Sequence, residues 1–348
     1  MTRQTWTAFV SALVFVGLAV MLVVLPVPFV SWSPGGTRDT LGTVDNEPII
    51  KVSGIDTYPT TGRLDMTVVS ITPADARLSL PQALLSYWLP DRDTLPRDAV
   101  YAPGKSAEQV KDEDAEMMET AQDDAVVAAL RADDQPVTEM PAIYSVTIGG
   151  PAYDKLRPGD LVVSVDGVPT PDDGAVRKAI QKHEVGEVVT FVVVRDRAQT
   201  TVDVITAESP TQSGSPVVGI TIGTGYRYEP EISFDFGQRI GGPSAGLVFA
   251  LAIYDKITDG PLLSDLHVAG TGQITPTGQV GSIGGIQEKI AGAEKAGATV
   301  FLVPAGNCAD LAGVKTDMTL IKVATLRDAI AAVQVLTTAG GTGAVPAS

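Results

Sequence analysis

The residue best suited to chemistry in this sequence is a single serine. Ser244 stands within Gly242-Pro243-Ser244-Ala245-Gly246, directly before the apolar run 247–257, which predicts a buried helix. A serine at a helix N-terminus lies beside free backbone N–H groups and the positive end of the dipole, which suits oxyanion binding. Pro243 fits the first turn of that helix because its missing N–H costs nothing there. The simpler interpretation is that Ser244 only caps the helix.

One hydrolytic scheme for Ser244 is the G-x-S-x-G elbow of α/β-hydrolases, which needs an aspartate and then a histidine downstream. His267 is the only later histidine and lies 23 residues on, in the predicted strand 266–269. The chain after Ser244 is also too short for the remaining sheet of that fold. This scheme is therefore disfavoured.

A second scheme uses a lysine as the base. Lys289 stands near the start of a predicted helix, beside Ile286 and Ile290. Burial of an amine disfavours its charged form, and a neutral amine can accept the serine proton. Most lysines in such a helix are solvated, so the position alone does not establish this role. Lys295, on roughly the opposite side of the same helix, is predicted to lie at the surface.

Composition excludes several classes of function. The 348 residues include 41 acidic and 25 basic side chains, and the net charge of −16 argues against nucleic-acid binding. One cysteine, Cys308, cannot form a disulfide within the chain. Two histidines without a C-x-x-C pair cannot build a typical zinc site. The length allows two or three domains with cores of their own.

The N-terminus carries a long apolar run. No charged residue occurs between Arg3 and Arg38, and about 20 apolar residues are enough to span a bilayer core. We therefore predict a transmembrane signal anchor over 6–30, with 1–5 in the cytoplasm because positive charge stays on that side. This puts the protein at the cell membrane, with a single pass and its remaining domains outside the cytoplasm. A cleaved signal peptide is the alternative, which the length of the run and the lack of an A-x-A site disfavour.

The segment 31–137 is predicted to be β-rich at first and to end in an acidic helix. Ser106 and Gln109 form an S-x-x-Q capping box, and helical character continues to about Arg131. Residues 108–139 carry eleven acids and two bases, a net charge of −9. A calcium site would explain such a density of carboxylates, but the spacing of an EF-hand loop is absent. A helix face exposed to solvent is therefore favoured.

Residues 138–207 are predicted to form a small domain of four strands, at 143–148, 161–165, 188–195 and 201–205, with one helix near 174–183. Its segment 146–167, VTIGGPAYDKLRPGDLVVSVDG, resembles a PDZ domain, a fold that binds extended peptide ends by adding a strand to its sheet edge. The resemblance implies a carboxylate-binding loop around 135–144, where no clear G-φ-G-φ signature occurs. A purely structural domain without a ligand is the alternative. A linker is predicted at 209–216, and the tail 338–348 is predicted to be flexible.

Two further segments resemble the proteolytic domain of Lon proteases: GGPSAG at 241–246 and VAGTGQITPTGQVGSIGGIQEKIAGAEKAGATVFLVP at 268–304. The resemblance covers about 120 residues and rests on three motifs in the expected order. It implies that Ser244 is the nucleophile and Lys289 the general base. Thr271 corresponds to the threonine that contacts the lysine in that family.

The chain departs from the usual Lon pattern at three loop positions and in its lack of an ATPase motif. Gly241 stands where many Lon domains have Asp, Gln273 where they have Glu, and Ser282 where they commonly have Pro. No G-x-x-x-x-G-K-[ST] motif is present, and Ala99 occupies the first glycine position of the nearest stretch. ATP-driven unfolding by this chain is therefore not expected.

The order of an anchor, a β-rich segment, an acidic helix, a PDZ-like domain and a Lon-type domain over 217–337 resembles the YlbL-type Lon-like proteases of bacteria. The expected fold class is α+β, with an N-terminal transmembrane helix, a PDZ-like domain and a Lon-type α/β proteolytic domain. The resemblance implies a membrane-anchored, ATP-independent serine endopeptidase. It would cleave unfolded or extended polypeptides with a Ser-Lys dyad, and the PDZ domain would position them.

No cofactor, no metal and no nucleic-acid partner is expected for this chain. The expected partners are polypeptide substrates, the membrane, and further copies of the chain, with the hexameric ring common among Lon-type domains as the expected assembly. One alternative is a proteolytically silent PDZ adaptor tethered to the membrane, and another is an inhibitor or chaperone that uses only the PDZ groove. The serine, lysine and threonine at all three motif positions favour the enzyme.

Overall fold

The computed structural model describes residues 3–237 and 240–338, so the predicted flexible tail lies outside the described residues except for Thr338. The chain divides into two compact units. The larger unit contains the residues up to Asp134 and those from Pro230 onward, and the smaller unit is Gln135–Glu229. This division differs from the boundary predicted at 209–216, because a long strand after that linker belongs to the smaller unit.

Both units combine helices with strands. The helices within the described residues are α1 (Arg3–Val24), α2 (Leu80–Trp88), α3 (Arg97–Val100), α4 (Ala107–Ala132), α5 (Asp173–Ile180), α6 (Gly246–Ile257), α7 (Ile286–Lys295) and α8 (Leu326–Thr338), with a 3-10 helix at Ala305–Leu311. The strands are β1 (Pro26–Val27), β2 (Phe29–Asp39), β3 (Thr43–Val44), β4 (Glu47–Pro48), β5 (Ile50–Ser53), β6 (Arg63–Ile71), β7 (Leu78–Ser79), β8 (Asp93–Pro96), β9 (Thr138–Val146), β10 (Leu161–Val165), β11 (Val168–Pro169), β12 (Val188–Arg195), β13 (Ala198–Ile205), β14 (Ala207–Glu208), β15 (Pro216–Val217), β16 (Ile220–Arg227), β17 (Glu231–Phe234), β18 (His267–Gly270), β19 (Gln273–Ile274), β20 (Val280–Gly281), β21 (Val300–Pro304) and β22 (Thr319–Val323).

The larger unit is built around a six-stranded sheet of order β22-β21-β18-β6-β2-β8. The strands from β22 to β6 are parallel, and β2 and β8 continue the sheet in antiparallel pairing. The parallel strands read as apolar runs, as is typical of strands covered on both faces. Leu64 and Met66 in β6, and Phe301 and Leu302 in β21, are fully buried. This core fixes β18, whose C-terminal end leads into the candidate site.

Two helices of the larger unit show how apolar pattern decides burial. Ten of the twelve residues of α6 are buried, which confirms the buried helix that the apolar run predicts. The C-terminal half of α4 is buried from Ala125 to Leu130, while most acidic residues of its N-terminal half are exposed. The predicted capping box is present, with Ser106 Oγ accepting from the Gln109 amide at 3.1 Å and Gln109 Oε1 accepting from the Ser106 amide at 2.8 Å.

The helix α1 has no buried residue, and its 22 residues make it long and apolar enough to be a candidate membrane span by length and composition. It ends at Val24, whereas the predicted anchor extends to Val30. Pro26 explains the difference, because proline cannot donate to the preceding helical turn and also disfavours helical angles at the residue before it. The chain then enters β1 and β2 directly.

The smaller unit is a sheet of order β13-β12-β10-β9-β16, with β11 paired to β10 and α5 packed beside the sheet. Its core includes Val162, Val189 and Phe191, all fully buried. The predicted strands 161–165 and 188–195 coincide with β10 and β12. The predicted helix ends earlier than expected, at Ile180.

Candidate active site

Ser244 lies in a turn directly before α6. The helix begins at Gly246 with Ala245 as its N-cap residue, so Pro243 precedes the first turn instead of occupying it. Ser244 does not cap this helix, because Ala245 is the N-cap residue and no side chain caps α6. The Ser244 hydroxyl instead contacts Nζ of Lys289. Gly246 is required at this point, since a Cβ there would lie 2.7 Å from Cγ2 of Ile274.

Lys289 reaches Ser244 from the first turn of α7. The turn before this helix is tightly packed, because a Cβ on Gly284 would lie 2.7 Å from the ring of Trp32. Gly285, with φ of +68°, adopts a left-handed conformation that favours glycine. The Lys289 side chain is only 2% exposed, as the prediction of a buried lysine requires, and Lys295 at the end of the same helix is exposed.

The terminal amine of Lys289 contacts two hydroxyl groups. Its Nζ lies 2.7 Å from Ser244 Oγ and 3.0 Å from Thr271 Oγ1. These residues stand up to 45 positions apart in the sequence, and the fold brings all three together. Ser244 and Lys289 are thus within direct proton-transfer distance.

Thr271 and its neighbour hold the backbone of Ser244. Thr271 follows β18 and is fully buried, and its Oγ1 donates to the carbonyl oxygen of Ser244 at 2.9 Å. The amide of Gly272 donates to the same oxygen at 2.7 Å, and the amide of Leu247 donates to the carbonyl of Gly272 at 3.0 Å. Because the Thr271 hydroxyl donates its hydrogen to Ser244, its lone pairs are left to accept from Lys289.

Burial lowers the pKa of Lys289 to about 8, and the neighbouring Glu288 carboxyl opposes this shift. Burial also raises the pKa of Glu288. With a pKa of about 8, about one amine in ten is neutral at pH 7, far more than for an ordinary lysine. The site therefore contains an amine that can act as a base near neutral pH.

The turn around Ser244 also presents hydrogen-bond donors. Within the described residues, the amides of Ser244 and Ala245 donate to no backbone carbonyl. They stand just before α6, where the helix dipole favours negative charge. Such donors are suited to the oxygen of a tetrahedral intermediate.

Sequence reasoning missed one contributor, Asp114 of α4. The amide of Gly242 donates to the carbonyl oxygen of Asp114 at 3.0 Å, so the acidic helix holds the loop that precedes Ser244. Asp114 is one of many acidic residues in 108–139, and nothing in its spacing distinguishes it from the others.

The histidine that a serine–histidine scheme would need is committed elsewhere. His267 Nε2 lies 3.0 Å from Oδ2 of Asp65, a fully buried carboxylate that also accepts from Arg63 Nε at 2.9 Å. His267 begins β18, four residues before Thr271, which at about 3.3 Å per residue keeps it away from Ser244. The structure therefore agrees with the rejection of the hydrolase-elbow scheme.

The smaller unit has a groove of its own between α5 and β16, with a volume of about 490 Å³. Within the described residues, β16 ends its sheet, so its outer edge has no neighbouring strand. Three side chains form the α5 side of the groove: Arg177, Ile180 and Gln181. The segment 217–222 forms the other side, and Gly219 turns the chain there with φ of +75°. This groove does not involve 135–144, where the carboxylate-binding loop is expected from the sequence.

Comparison with protein families agrees with this architecture. Residues 239–336 match the Lon protease (S16) C-terminal proteolytic domain, and residues 116–206 match the PDZ domain. The chain thus contains a Lon-type proteolytic domain and a PDZ domain, joined to an apolar N-terminal helix. These domains support a Lon-like peptidase.

Individual relatives each match less than half of this chain. Lon protease 1 of Sorangium cellulosum is 44% identical over 94 residues, which cover 26% of this chain and 11% of that protein. Lon protease of Phenylobacterium zucineum is 31% identical over 153 residues, 44% of this chain and 17% of that protein. The chain spans about a tenth of the length of the first curated relatives it matches.

Among solved structures, the chain is similar to PDZ domains of SdrC-like proteins. The domain from Listeria monocytogenes is 25% identical, with a TM-score of 0.22, and the match covers 24% of this chain and 86% of that chain. The domain from Listeria innocua is 21% identical with the same TM-score, and the match covers 24% of this chain and 92% of that chain.

Proposed function

We propose that this protein is a membrane-anchored, ATP-independent serine endopeptidase that cleaves unfolded or extended polypeptides with a Ser244–Lys289 dyad. The observation that carries the proposal is the contact of the buried amine, 2% exposed, with the serine hydroxyl at 2.7 Å. A lysine shielded from solvent, with a lowered pKa, has little structural purpose, since burying an amine destabilises the fold.

In the first half of the reaction, Ser244 Oγ attacks the carbonyl carbon of the scissile peptide while Lys289 Nζ accepts the hydroxyl proton. The carbonyl oxygen becomes an oxyanion, which the amides of Ser244 and Ala245 bind. The tetrahedral intermediate collapses, the C–N bond breaks, and Lys289 returns its proton to the leaving amine. The acyl group remains on Ser244.

In the second half, a water molecule attacks the acyl carbon and Lys289 accepts a proton from that water. The tetrahedral intermediate then collapses with departure of Ser244 Oγ, which takes the proton back from Lys289. Thr271 accepts a hydrogen bond from the amine at 3.0 Å, which keeps Nζ directed at Ser244 through both halves. This residue is a positioning residue in the proposal.

The absence of a phosphate-binding loop from this sequence supports ATP independence. Without coupled unfolding, only chains that arrive extended can enter the site. The test uses the full chain in lipid nanodiscs, with one polypeptide supplied both as a folded domain and as an unfolded chain, with and without ATP. We expect the unfolded form to be cleaved at the same rate with and without ATP. The folded form should resist cleavage under both conditions. Cleavage that requires ATP would contradict the proposal.

The groove between α5 and β16 is the proposed binding site for the polypeptide. An extended chain adds to the edge of β16 by main-chain hydrogen bonds, as PDZ domains bind their ligands. Arg177 stands in the groove wall, where it forms an ion pair with Asp173, and its remaining N–H groups suit a terminal carboxylate.

Charge reversal at the groove tests this role with a matched control. Arg177→Glu should raise KM for a peptide with a free C-terminus and leave kcat unchanged. Lys178→Glu alters the next residue of α5, which is also exposed and does not line the groove, and should leave KM unchanged. Equal effects of the two variants, or equal KM values for free and amidated peptides, would contradict the proposed binding site.

We also propose, from the apolar α1 and the charge at Arg3, a single-pass topology with the N-terminus in the cytoplasm and both units outside it. By resemblance to Lon-type domains, the proposed assembly is a homo-oligomer with a hexameric ring. Light scattering of the detergent-solubilised full chain tests the assembly, and a monomer at working concentration would contradict it.

A further inference from the structure

The helix α2 is apolar on the side that it presents to solvent. Its buried residues are small, Ala83 and Ser86, while its large apolar and aromatic residues point outward. The outward residues are Leu84 at 41% exposure, Leu85 at 58%, Tyr87 at 70% and Trp88 at 72%. A surface helix of a water-soluble unit normally has the opposite arrangement.

The small residues of α2 let it approach β2 closely. Ser86 Oγ hydrogen-bonds Ser31 Oγ, and Thr94 Oγ1 of β8 donates to the carbonyl of Ala83 at 3.3 Å. The helix is therefore firmly attached through its small face, and the outward direction of its aromatic residues is fixed by this packing. An exposed apolar cluster of this kind marks a surface that something else covers.

The location of α2 indicates what covers it. The membrane-spanning candidate α1 ends at Val24, and β1 follows after one residue. β1 pairs with β7, with Pro26 opposite Ser79 and Val27 opposite Leu78, and α2 begins at the next residue, Leu80. The apolar face of α2 thus stands at the end of the membrane helix, and exposed Phe29 of β2 extends it.

The composition of α2 suits the boundary between lipid and water. The sequence LPQALLSYW contains no charged residue, so it meets no electrostatic penalty at anionic headgroups despite the strongly acidic chain. Tyrosine and tryptophan have apolar rings with one polar atom, and they are enriched at membrane interfaces for that reason. Leu84 and Leu85 supply the part that enters the acyl region.

We infer that α2 lies in the interface of the membrane that α1 spans, with Trp88, Tyr87, Leu84 and Leu85 inserted among the lipids. The inference rests on the proposed membrane anchoring by α1. Because α2 is packed on β2 of the central sheet, this second contact fixes the orientation of the larger unit on the membrane surface. A single helix would leave the unit free to tilt and rotate.

Tryptophan fluorescence tests the inference, because the chain contains only Trp6, Trp32 and Trp88. Two full-length variants each retain one reporter: Trp6→Phe with Trp32→Phe leaves Trp88 in α2, and Trp32→Phe with Trp88→Phe leaves Trp6 in α1. Trp32→Phe removes an indole N–H that has no hydrogen-bond partner among the described residues, so it leaves no acceptor there unpaired. Each variant is reconstituted in phosphatidylcholine vesicles with or without bromine atoms on the acyl chains.

We expect brominated lipid to quench both reporters, with Trp88 quenched most by bromines about 5–10 Å below the headgroups. Quenching of Trp6 without quenching of Trp88 would overturn the inference and leave the anchor intact. Quenching of neither would overturn the anchor and the inference together. A blue-shifted Trp88 that brominated lipid does not quench would overturn the inference by showing that another protein surface, such as a second copy, covers α2.

A second measurement keeps all three tryptophans and so avoids any loss of packing at Trp32. An environment-sensitive fluorophore is attached at Leu85→Cys or at Asp259→Cys, each in a Cys308→Ser background. Asp259 follows α6 near Lys256, which faces Asp39 at the opposite end of β2 from the membrane helix. The label at position 85 should shift to shorter wavelength in vesicles and the label at position 259 should not. Equal behaviour of the two labels would overturn the inference.

Discussion

Gly241 has no room for a side chain because Asp114 occupies the space. A Cβ on Gly241 would lie 2.7 Å from Cβ of Asp114, whose carboxylate lies beside the same point. Asp114 belongs to α4, which lies outside the region that matches Lon proteases. A glycine at position 241 therefore has a physical cause, because Asp114 of α4 fills the space that a side chain would need. The backbone carbonyl of Asp114 also accepts from the amide of Gly242.

The first prediction concerns this contact. Gly241→Ala should displace the loop before Ser244 and lower kcat about 10-fold, because small misplacements of a nucleophile are costly. Asp114→Gly should restore part of the lost activity when combined with Gly241→Ala, as expected for two residues in direct conflict. Steady-state kinetics of both single variants and the double variant measure this coupling.

The control for this cycle is Asp112→Gly, an exposed residue of the same helix that does not face Gly241. It carries the same cost of a helical glycine, about 1 kcal/mol, without removing the conflict. If Asp112→Gly restored activity to Gly241→Ala as well as Asp114→Gly does, the contact would not be the cause.

The second prediction concerns pH. Lys289 must be neutral to accept a proton, so kcat/KM should rise with pH and level off above about 8, the lowered pKa of this buried amine. Two pH units below that value, activity should be about 100-fold lower. Lys295→Ala, an exposed change on the same helix, should leave the profile unchanged. Full activity at pH 6 in the wild type would contradict the assignment of Lys289 as base.

The third prediction separates the two hydrogen bonds of Thr271 from its volume. Thr271→Val keeps the shape and removes both the bond to the Ser244 carbonyl and the acceptor for Lys289, so kcat should fall about 10²-fold. Loss of the acceptor disfavours the ammonium form, so the rise in kcat/KM should move to lower pH. Thr271→Ser retains the hydroxyl and should behave nearly as the wild type. An unshifted profile for the valine variant would reduce Thr271 to a packing role.

The fourth prediction concerns stability. The folded state holds Lys289 with a pKa of about 8, below its ordinary value of 10.5, so the unfolded chain binds more protons between these values. The free energy of unfolding should therefore rise with pH in this window as the folded state escapes the cost of a buried charge. Lys289→Met fills a similar volume without a charge and should be more stable at pH 7 by about 1–3 kcal/mol. Thermal unfolding of both proteins at pH 7 and pH 10 should show the difference shrinking at the higher pH.

Much of the architecture could be predicted because local patterns and folding agree. The apolar runs that form β6, β10, β12 and α6 can be stable only when they are buried, so their pattern predicts these elements. The capping box before α4 involves two residues three positions apart and can be recognised from the sequence alone. Ser244, Lys289 and Thr271 could be proposed from spacing and resemblance, since each lies within a short motif.

The remaining features depend on contacts between distant parts of the chain. Asp114 acts through a loop more than a hundred residues away, and no local signal distinguishes it from neighbouring acids. The start of α6 after Ser244 is set by bonds from Thr271 and Gly272 to the Ser244 carbonyl. One side of the groove is formed by β16, which follows the apparent linker at 209–216. The composition therefore placed this strand in the next domain, whereas it belongs to the smaller unit.

Mass-spectrometric analysis of an unfolded polypeptide incubated with the full chain in nanodiscs tests the central claim most directly. Wild type, Ser244→Ala, Lys289→Met and Lys295→Ala are compared side by side at a pH of about 8.5, above the pKa of Lys289, without ATP. We predict defined internal cleavages with the wild type and Lys295→Ala, and none with Ser244→Ala or Lys289→Met. Equal cleavage by Ser244→Ala, or no cleavage by the wild type while it remains folded in its membrane, would contradict the Ser244–Lys289 mechanism.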